Sequence, residues 1–305
     1  METTMLSLAT LMASALISTT PVQAAGSPSA QEDPVRVEDV VVSSRRLQDE
    51  AEAFVAELAA PPPKRGLARW RGPICIGVAN LSQSVARPLI DHIATVASGY
   101  DVRIREPGCQ PNVIIVFTDD APGLARGLVE HDADAFRVRW TSQLDRGQKA
   151  LDAFQNGDWP VRWWHVSMPV IGISGQRAIR MPGDVDPIYV PGEGLANKGR
   201  PITDVLSKVI VIVDIAKVEG TELPLLGDYL AMVVLAQVDP EGGTGRFDTV
   251  LNLFHETGRE EGLSGWDKAY LASLYGAFSE RIDRYNHASS IVRDLRRAER
   301  NAQRQ

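Results

Sequence analysis

The sequence predicts an α+β fold, in which helices pack on a mixed β-sheet that is stabilised by one disulfide, and three observations lead to this prediction. Short β-branched runs, such as residues 74–80 and 112–120, alternate with amphipathic stretches, a pattern typical of strands separated by helices. Residues 226–238 are apolar on nearly every side of a helix and predict a central helix. Cys75 and Cys109 are the two cysteines of the chain, and an oxidising compartment favours a disulfide between them, with two buried thiols as the alternative.

The N-terminus predicts a signal peptide. An apolar run ends at Val22-Gln23-Ala24, a small-residue pattern that signal peptidase cleaves, so residues 1–24 predict export and a secreted or periplasmic protein. Glu2 is unusual, because the first residues of a signal peptide normally carry a positive charge. A membrane anchor is the alternative, but Ser and Thr interrupt the run and it is shorter than the roughly 20 apolar residues of a bilayer span. No transmembrane span is predicted in the mature chain.

The rest of the chain divides into three segments. Residues 25–69 predict a flexible leader, a short helix over residues 47–59 and a linker, because three consecutive prolines cannot continue a helix. Residues 70–280 predict the globular α+β domain, and residues 281–305 predict a basic C-terminal helix or tail.

The elements of the domain follow from its hydrophobic pattern. Unbroken or alternating β-branched runs predict strands, and apolar residues three and four apart predict helices. The predicted strands are residues 74–80, 100–106, 112–120, 160–174 and 204–220, and the predicted helices are residues 84–98, an interrupted patch over 122–156, 226–238 and 263–278.

The charge of the chain disfavours a nucleic-acid partner. Lys and Arg number 32 against 39 acids, which gives a net charge of −7 at pH 7. Phosphate binding depends on clustered cations, which the acidic body of the chain lacks. The tail differs, because residues 281–305 hold seven arginines against Asp283, Asp294 and Glu299. The tail alone is therefore a candidate contact with an anionic lipid or a partner.

The segment LSGWDKAYLASLYG, residues 263–276, resembles the last helix of the secreted zinc metallopeptidases called metzincins, especially the matrixins. Upstream of it, a strand, a short polar loop and an apolar helix follow each other in the order that zincins use before their catalytic helix. The resemblance covers residues 204–276 and implies a zincin-like fold. Spacing alone also predicts that Ser264 and Asp267 cap a helix. The matching residues are Leu263, Ser264, Asp267, Leu274, Tyr275 and Gly276.

The zinc ligands of that family are missing. A zincin needs His-Glu-x-x-His on its central helix, because histidines four residues apart point both imidazoles at one Zn²⁺. The helix over residues 226–238 offers only Asp228 as a ligand. His255 and Glu256 begin a similar pattern, but Arg259 takes the second ligand position and has no lone pair for zinc. No metal and no cofactor are therefore predicted.

One aromatic cluster is a candidate binding surface. Trp163 and Trp164 lie beside Arg162 and His165 in a predicted strand, where successive side chains point to opposite faces. An exposed tryptophan beside an arginine suits a peptide or glycan contact. Core packing on both faces of the sheet is the alternative.

These observations favour a non-catalytic, zincin-like binding or interaction module of the cell envelope, a pseudoenzyme whose partner is a protein, peptide or glycan. A hydrolase with a non-standard active site is the alternative, and it predicts that residues such as Asp228, Glu256, His255 and His165 converge in one cleft. A second alternative is an envelope structural protein that contacts a partner or lipid through its basic tail.

Overall fold

A computed structural model describes residues 37–62, 65–136, 146–171, 177–178, 202–255, 261–276 and 284–302 of the chain. These residues form helices packed on a mixed sheet, so the predicted α+β class is confirmed. The predicted signal peptide lies outside the described residues. The helices are α1 Val37–Leu58, α2 Gln83–Ser98, α3 Ala121–His131, α4 Ala133–Phe136, α5 Gln148–Asn156, α6 Leu223–Leu235, α7 Gly265–Tyr275 and α8 Arg284–Ala302.

In the part of the chain that the structure describes, the sheet has four strands in the order β1-β2-β4-β3. Strands β1, β2 and β4 run parallel, whereas β3 lies antiparallel to β4 at the edge. Trp163 of β3 is paired with Val211 of β4, and the register shifts between Val166 and Ser167. The strands are β1 Ile76–Ala79, β2 Val113–Thr118, β3 Val161–Ile171 and β4 Ile202–Asp214.

The predicted strand over residues 100–106 is not formed. Ile104 makes only a single parallel bridge with Ile74. Asp101 has a φ of 61°, in the left-handed region that interrupts a strand. Pro107 and Gly108 follow soon after, so the extended stretch between these two turns is too short for a ladder.

Both faces of the sheet are covered. On one face Val209, Val211 and Val213 of β4 pack into the main core with α1, α2, α6, α7 and α8. On the other face Ile210 and Ile212 pack into a smaller core with α3, α4 and α5. A strand that is buried on both faces reads as a continuous apolar run, which is how β4 appears in the sequence.

Helix α1 begins at Val37, ten residues before the predicted start of the short helix at residue 47. The valines at its start have a helix propensity only a few tenths of a kcal/mol below that of alanine, so they do not prevent a helix. Phe54 and Leu58 are fully buried, and Ala59 forms a bridge with Val238. The segment that was predicted to precede the domain therefore supplies part of its core.

A disulfide and the packing of α8 also hold the domain together. Cys75 and Cys109 form the predicted disulfide, with their Cα atoms 6.1 Å apart. Helix α8 packs against α1 and α7, and its residue Ile291 is fully buried. None of the helices in the described ranges combines the length and the apolar character that a bilayer span requires.

Candidate functional site

Asp228, the single charged residue of α6, lies at the meeting point of three elements. Its Oδ1 is 2.7 Å from Nε2 of His92 on α2. Its Oδ2 accepts a hydrogen bond of 3.1 Å from the backbone N–H of Leu263, just before α7. Because an ionised carboxylate can only accept, Nε2 of His92 carries the hydrogen. Asp228 thus joins α2, α6 and the entry to α7.

Two glycines make room for this pair. A Cβ at position 227 would lie 2.6 Å from Cδ2 of His92, and a Cβ at position 262 would lie 1.9 Å from Oδ2 of Asp228. Real Cβ atoms do not approach other heavy atoms so closely. Gly227 and Gly262 are therefore required by the close approach of the two side chains.

The pair is accessible to water. The side chains of His92 and Asp228 are 33% and 21% exposed. A carboxylate that holds one imidazole nitrogen leaves the other nitrogen available as a proton acceptor. The pair can therefore orient an imidazole for proton transfer. Within the described ranges, no group of three His, Cys, Asp or Glu residues is arranged to hold a metal ion.

Tyr100 lies close enough to Asp228 for the negative charge of the carboxylate to affect the pKa of its hydroxyl. Burial, and then the negative charges of Asp267 and Asp228, raises the pKa of the Tyr100 hydroxyl to about 12. The ring of Tyr100 lies 6.3 Å from the ring of Tyr275, measured between centroids. At neutral pH the hydroxyl keeps its proton and can act only as a hydrogen-bonding group.

Asp267 is buried, and its carboxylate accepts hydrogen bonds from neighbouring groups of the domain. It forms the predicted capping box with Ser264, whose Oγ accepts from the N–H of Asp267 at 2.9 Å. The same carboxylate accepts from Oγ1 of Thr249 at 2.5 Å and from the N–H of Val250 at 2.7 Å. Burial raises the pKa of Asp267, and these hydrogen bonds oppose the rise. The capping residue therefore also fastens the loop before α7.

Trp163 and His165, two members of the predicted binding surface, are buried against α6. They belong to a group of four side chains that donate hydrogen bonds to three carbonyl groups at the C-terminal end of this helix and to one carbonyl just after it. A helix end inside a core needs such donors, because its last carbonyls have no partner within the helix. The pairs are His165 Nε2 with Val233 at 2.7 Å, Trp70 Nε1 with Val234 at 2.8 Å, Tyr275 Oη with Leu235 at 2.7 Å and Trp163 Nε1 with Val238 at 3.0 Å.

Trp164 and Arg162, the other two members, are buried on the opposite face of the sheet. Nε1 of Trp164 donates to the carbonyl of Phe136 at 3.1 Å. The Arg162 guanidinium donates to three backbone carbonyls at the end of α5, those of residues 154, 155 and 157. Desolvation by burial lowers the pKa of Arg162. None of the four residues predicted as a binding surface offers an exposed side chain.

Among the described residues, no hydrogen bond joins Asp228, His165 and His255, three of the residues expected to converge in a hydrolase. Asp228 contacts His92, whereas His165 contacts the carbonyl of Val233. Burial lowers the pKa of His165 to about 4, so its imidazole is neutral at physiological pH. His255 is exposed, and Glu256 lies outside the described residues. No sequence pattern pointed to His92, because its partner Asp228 lies 136 residues away.

Comparison with protein-family models, with curated protein sequences and with solved structures gave no significant match.

Proposed function

We propose that this protein is an exported, non-catalytic interaction domain of the cell envelope, a zincin-like pseudoenzyme whose partner is a protein, peptide or glycan. The observation that carries this proposal is that the residues of α6 are already engaged in contacts within the fold. Its single carboxylate, Asp228, is engaged by His92 and by the backbone of Leu263. The six residues from 230 to 235 are fully buried and apolar. The helix on which a zincin presents its ligands is thus used for packing.

The arrangement of elements supports the zincin-like part of the proposal. Strand β4 is followed by a short loop and then by α6, and the capped helix α7 follows, which is the order on which the resemblance rests. Strand β3 flanks α6 through the hydrogen bond of His165, and Trp163 bonds to the backbone just after the helix.

The disulfide supports export. Disulfides persist in oxidising compartments and are rare in the cytosol, where thiols are kept reduced. Cys75 and Cys109 are bonded to each other, and the described part of the chain contains no free cysteine. The predicted signal peptide requires the same compartment.

Metal content tests the proposal directly. The mature protein is purified without a metal-binding tag and without chelators, and its zinc is measured by elemental mass spectrometry. We expect zinc well below one ion per chain, in the wild type and in Asp228→Asn alike. Near-stoichiometric zinc that is lost in Asp228→Asn would contradict the proposal and make a metalloenzyme the better interpretation.

A hydrolase is the second candidate, and the accessible His92–Asp228 pair is the observation that favours it. In that case His92 acts as the general base and Asp228 orients its imidazole. Hydrolysis of a peptide library and a glycan library by the wild type is compared with hydrolysis by His92→Gln. Turnover by the wild type that His92→Gln abolishes, while the variant remains folded at the assay temperature, would establish the hydrolase. Equal and negligible turnover supports the interaction domain.

A further inference from the structure

Helix α8 has one buried side and one basic side. His287, Ala288 and Ile291 are buried between α8 and its neighbours α1 and α7. Oγ of Ser289 accepts a hydrogen bond of 3.2 Å from Nε2 of Gln48 on α1. The contacts fix the rotation of α8 about its own axis, so the opposite side of the helix has a defined position on the protein surface.

That opposite side carries four arginines, which we call the arginine face. Successive residues of an α-helix are separated by 100°, so the four positions fall within an arc of about 100° that points away from Ile291. Three of the arginines are exposed, one is half-buried, and the side chain of Arg293 is 56% exposed. The arginine face consists of Arg293, Arg296, Arg297 and Arg300.

The arginine face is unfavourable for the helix itself. Like charges three or four residues apart repel each other on a helix surface, and this spacing occurs throughout the face. Of the four arginines, only Arg293 has an ion pair within the described structure, in which its Nε lies 3.6 Å from Oδ1 of Asp294. Arg300 lies in the last turn, where the helix dipole favours a cation, but this effect does not extend to Arg293. Folding therefore does not explain the cluster.

We propose that the arginine face binds the phosphate headgroups of an anionic membrane surface, an inference that rests on the proposed export. A guanidinium group binds a phosphate through two parallel hydrogen bonds, so adjacent arginines suit a surface of closely spaced phosphates. The remainder of the chain is acidic, with a net charge of −7 for the whole sequence. An anionic surface repels that remainder and attracts α8, which orients the protein with α8 towards the lipid.

The composition of the arginine face favours lipid over a protein partner. Protein interfaces are centred on aromatic or apolar anchors, whereas a phosphate surface requires only cations. The large apolar side chains that the described structure leaves exposed are Val85 on α2 and Ile215 after β4, and neither lies on α8. The apolar side of α8 is already buried in the domain, so binding is peripheral and electrostatic and weakens as salt is added.

Vesicle binding by the mature protein tests the inference. Vesicles of phosphatidylcholine with and without phosphatidylglycerol are titrated at low and high salt. We expect salt-sensitive binding to the vesicles that contain phosphatidylglycerol. Each exposed arginine contributes about fivefold to the affinity, so the triple variant R293Q/R297Q/R300Q is expected to lose on the order of 100-fold.

A matched variant separates the arginine face from net charge. R87Q/R105Q/K149Q removes the same charge from exposed positions on other parts of the protein, and it is expected to bind within about twofold of the wild type. Three results would overturn the inference: no binding by the wild type, equal loss in both variants, or tighter binding to a DNA duplex than to vesicles. The zinc measurement probes α6 and the vesicle titration probes α8, so the proposed function and this inference can fail separately.

Discussion

His92 and Asp228 join two helices through a 2.7 Å hydrogen bond, although 136 residues separate them in the sequence. The carboxylate of Asp228 on α6 accepts this hydrogen bond from the imidazole of His92 on α2. Its second oxygen is occupied by the backbone N–H of Leu263. This part of α6 therefore holds α2 and the entry to α7 in place.

The glycine beside Asp228 gives a first prediction. Gly227→Ala places a Cβ 2.6 Å from Cδ2 of His92, so the imidazole must turn away and lose its bond to Asp228. We expect a loss of about 1–3 kcal/mol in the free energy of unfolding, the range typical of overpacked sites. Chemical denaturation measures it.

Gly127→Ala is the matched control. Gly127 also lies inside a helix, α3, but a Cβ there would meet nothing within 4 Å. Alanine is the better helix former by about 0.5–1 kcal/mol, so this substitution is expected to stabilise the protein. Two alanine variants that shift stability in the same direction would contradict the close approach of His92 to Gly227.

The buried carboxylate of Asp267 gives a second prediction. Asp267→Ala leaves the Thr249 hydroxyl and the N–H groups of Val250 and Ser264 without their acceptor. Each buried group that loses its partner costs about 1–3 kcal/mol, so we expect a total loss of roughly 3 kcal/mol or more. Ser264→Ala removes only the cap and is expected to cost about 0.5–2 kcal/mol.

Lys268→Ala serves as the control for this series, because Lys268 is an exposed neighbour on the same helix. Surface substitutions of this kind change stability by less than about 0.5 kcal/mol. Equal losses in Asp267→Ala and Ser264→Ala would show that Asp267 acts only as part of the capping box and that its bonds to Thr249 and Val250 contribute nothing.

The features that could be predicted from the sequence are those set by local spacing. The capping box needs only Ser264 and a carboxylate three residues later, so its pattern is visible in the sequence. The buried strand β4 shows as an unbroken apolar run, and the disulfide follows from an even number of cysteines. The mixed sheet and the α+β class follow from the order of such elements.

The features that could not be predicted depend on contacts between distant segments. The bond between His92 and Asp228 could not be predicted, because no local sequence pattern around either residue indicates it. Trp163 and His165 have the composition of an exposed binding surface. In the fold they are buried and donate to two buried carbonyls, one at the end of α6 and one just after it. Helix α1 starts ten residues before the predicted helix, because the slightly low helix propensity of its first valines is too weak a signal to mark where a helix begins.

The disulfide gives a third prediction. The chain-entropy model assigns roughly 3–4 kcal/mol to a bond that closes a loop of this length, and Cys75 and Cys109 are 34 residues apart. We expect C75A/C109A to lose that amount in chemical denaturation. Added reductant should produce the same loss in the wild type and no change in the double variant. A wild type whose stability does not respond to reductant under unfolding conditions would contradict a structural disulfide.

Two buried histidines predict how stability depends on pH. Burial lowers the pKa of His165 to about 4 and the pKa of His287 to about 3, from an ordinary value of 6.5. Below pH 6.5 the unfolded chain takes up a proton at each position, whereas the folded protein does not until the lower pKa is reached. The unfolding free energy therefore falls as the pH falls from 6.5 towards 4. From pH 7 to pH 5 each histidine lowers the free energy of unfolding by roughly 2 kcal/mol.

Buried carboxylates have the opposite effect on stability. Burial raises the pKa of Asp204 and of Asp267, so their protonation in acid favours the folded protein. Single histidine variants separate the two effects. The measured quantity is the difference between the unfolding free energies at pH 7 and pH 5, so that a uniform loss of stability cancels. His287→Gln is expected to reduce this difference by roughly 2 kcal/mol. His131→Gln, at an exposed position, is the control. Since Oγ of Ser273 lies 3.0 Å from Nδ1 of His287 between α7 and α8, an unchanged difference in His287→Gln would mean that this contact opens and water reaches the imidazole before the protein unfolds.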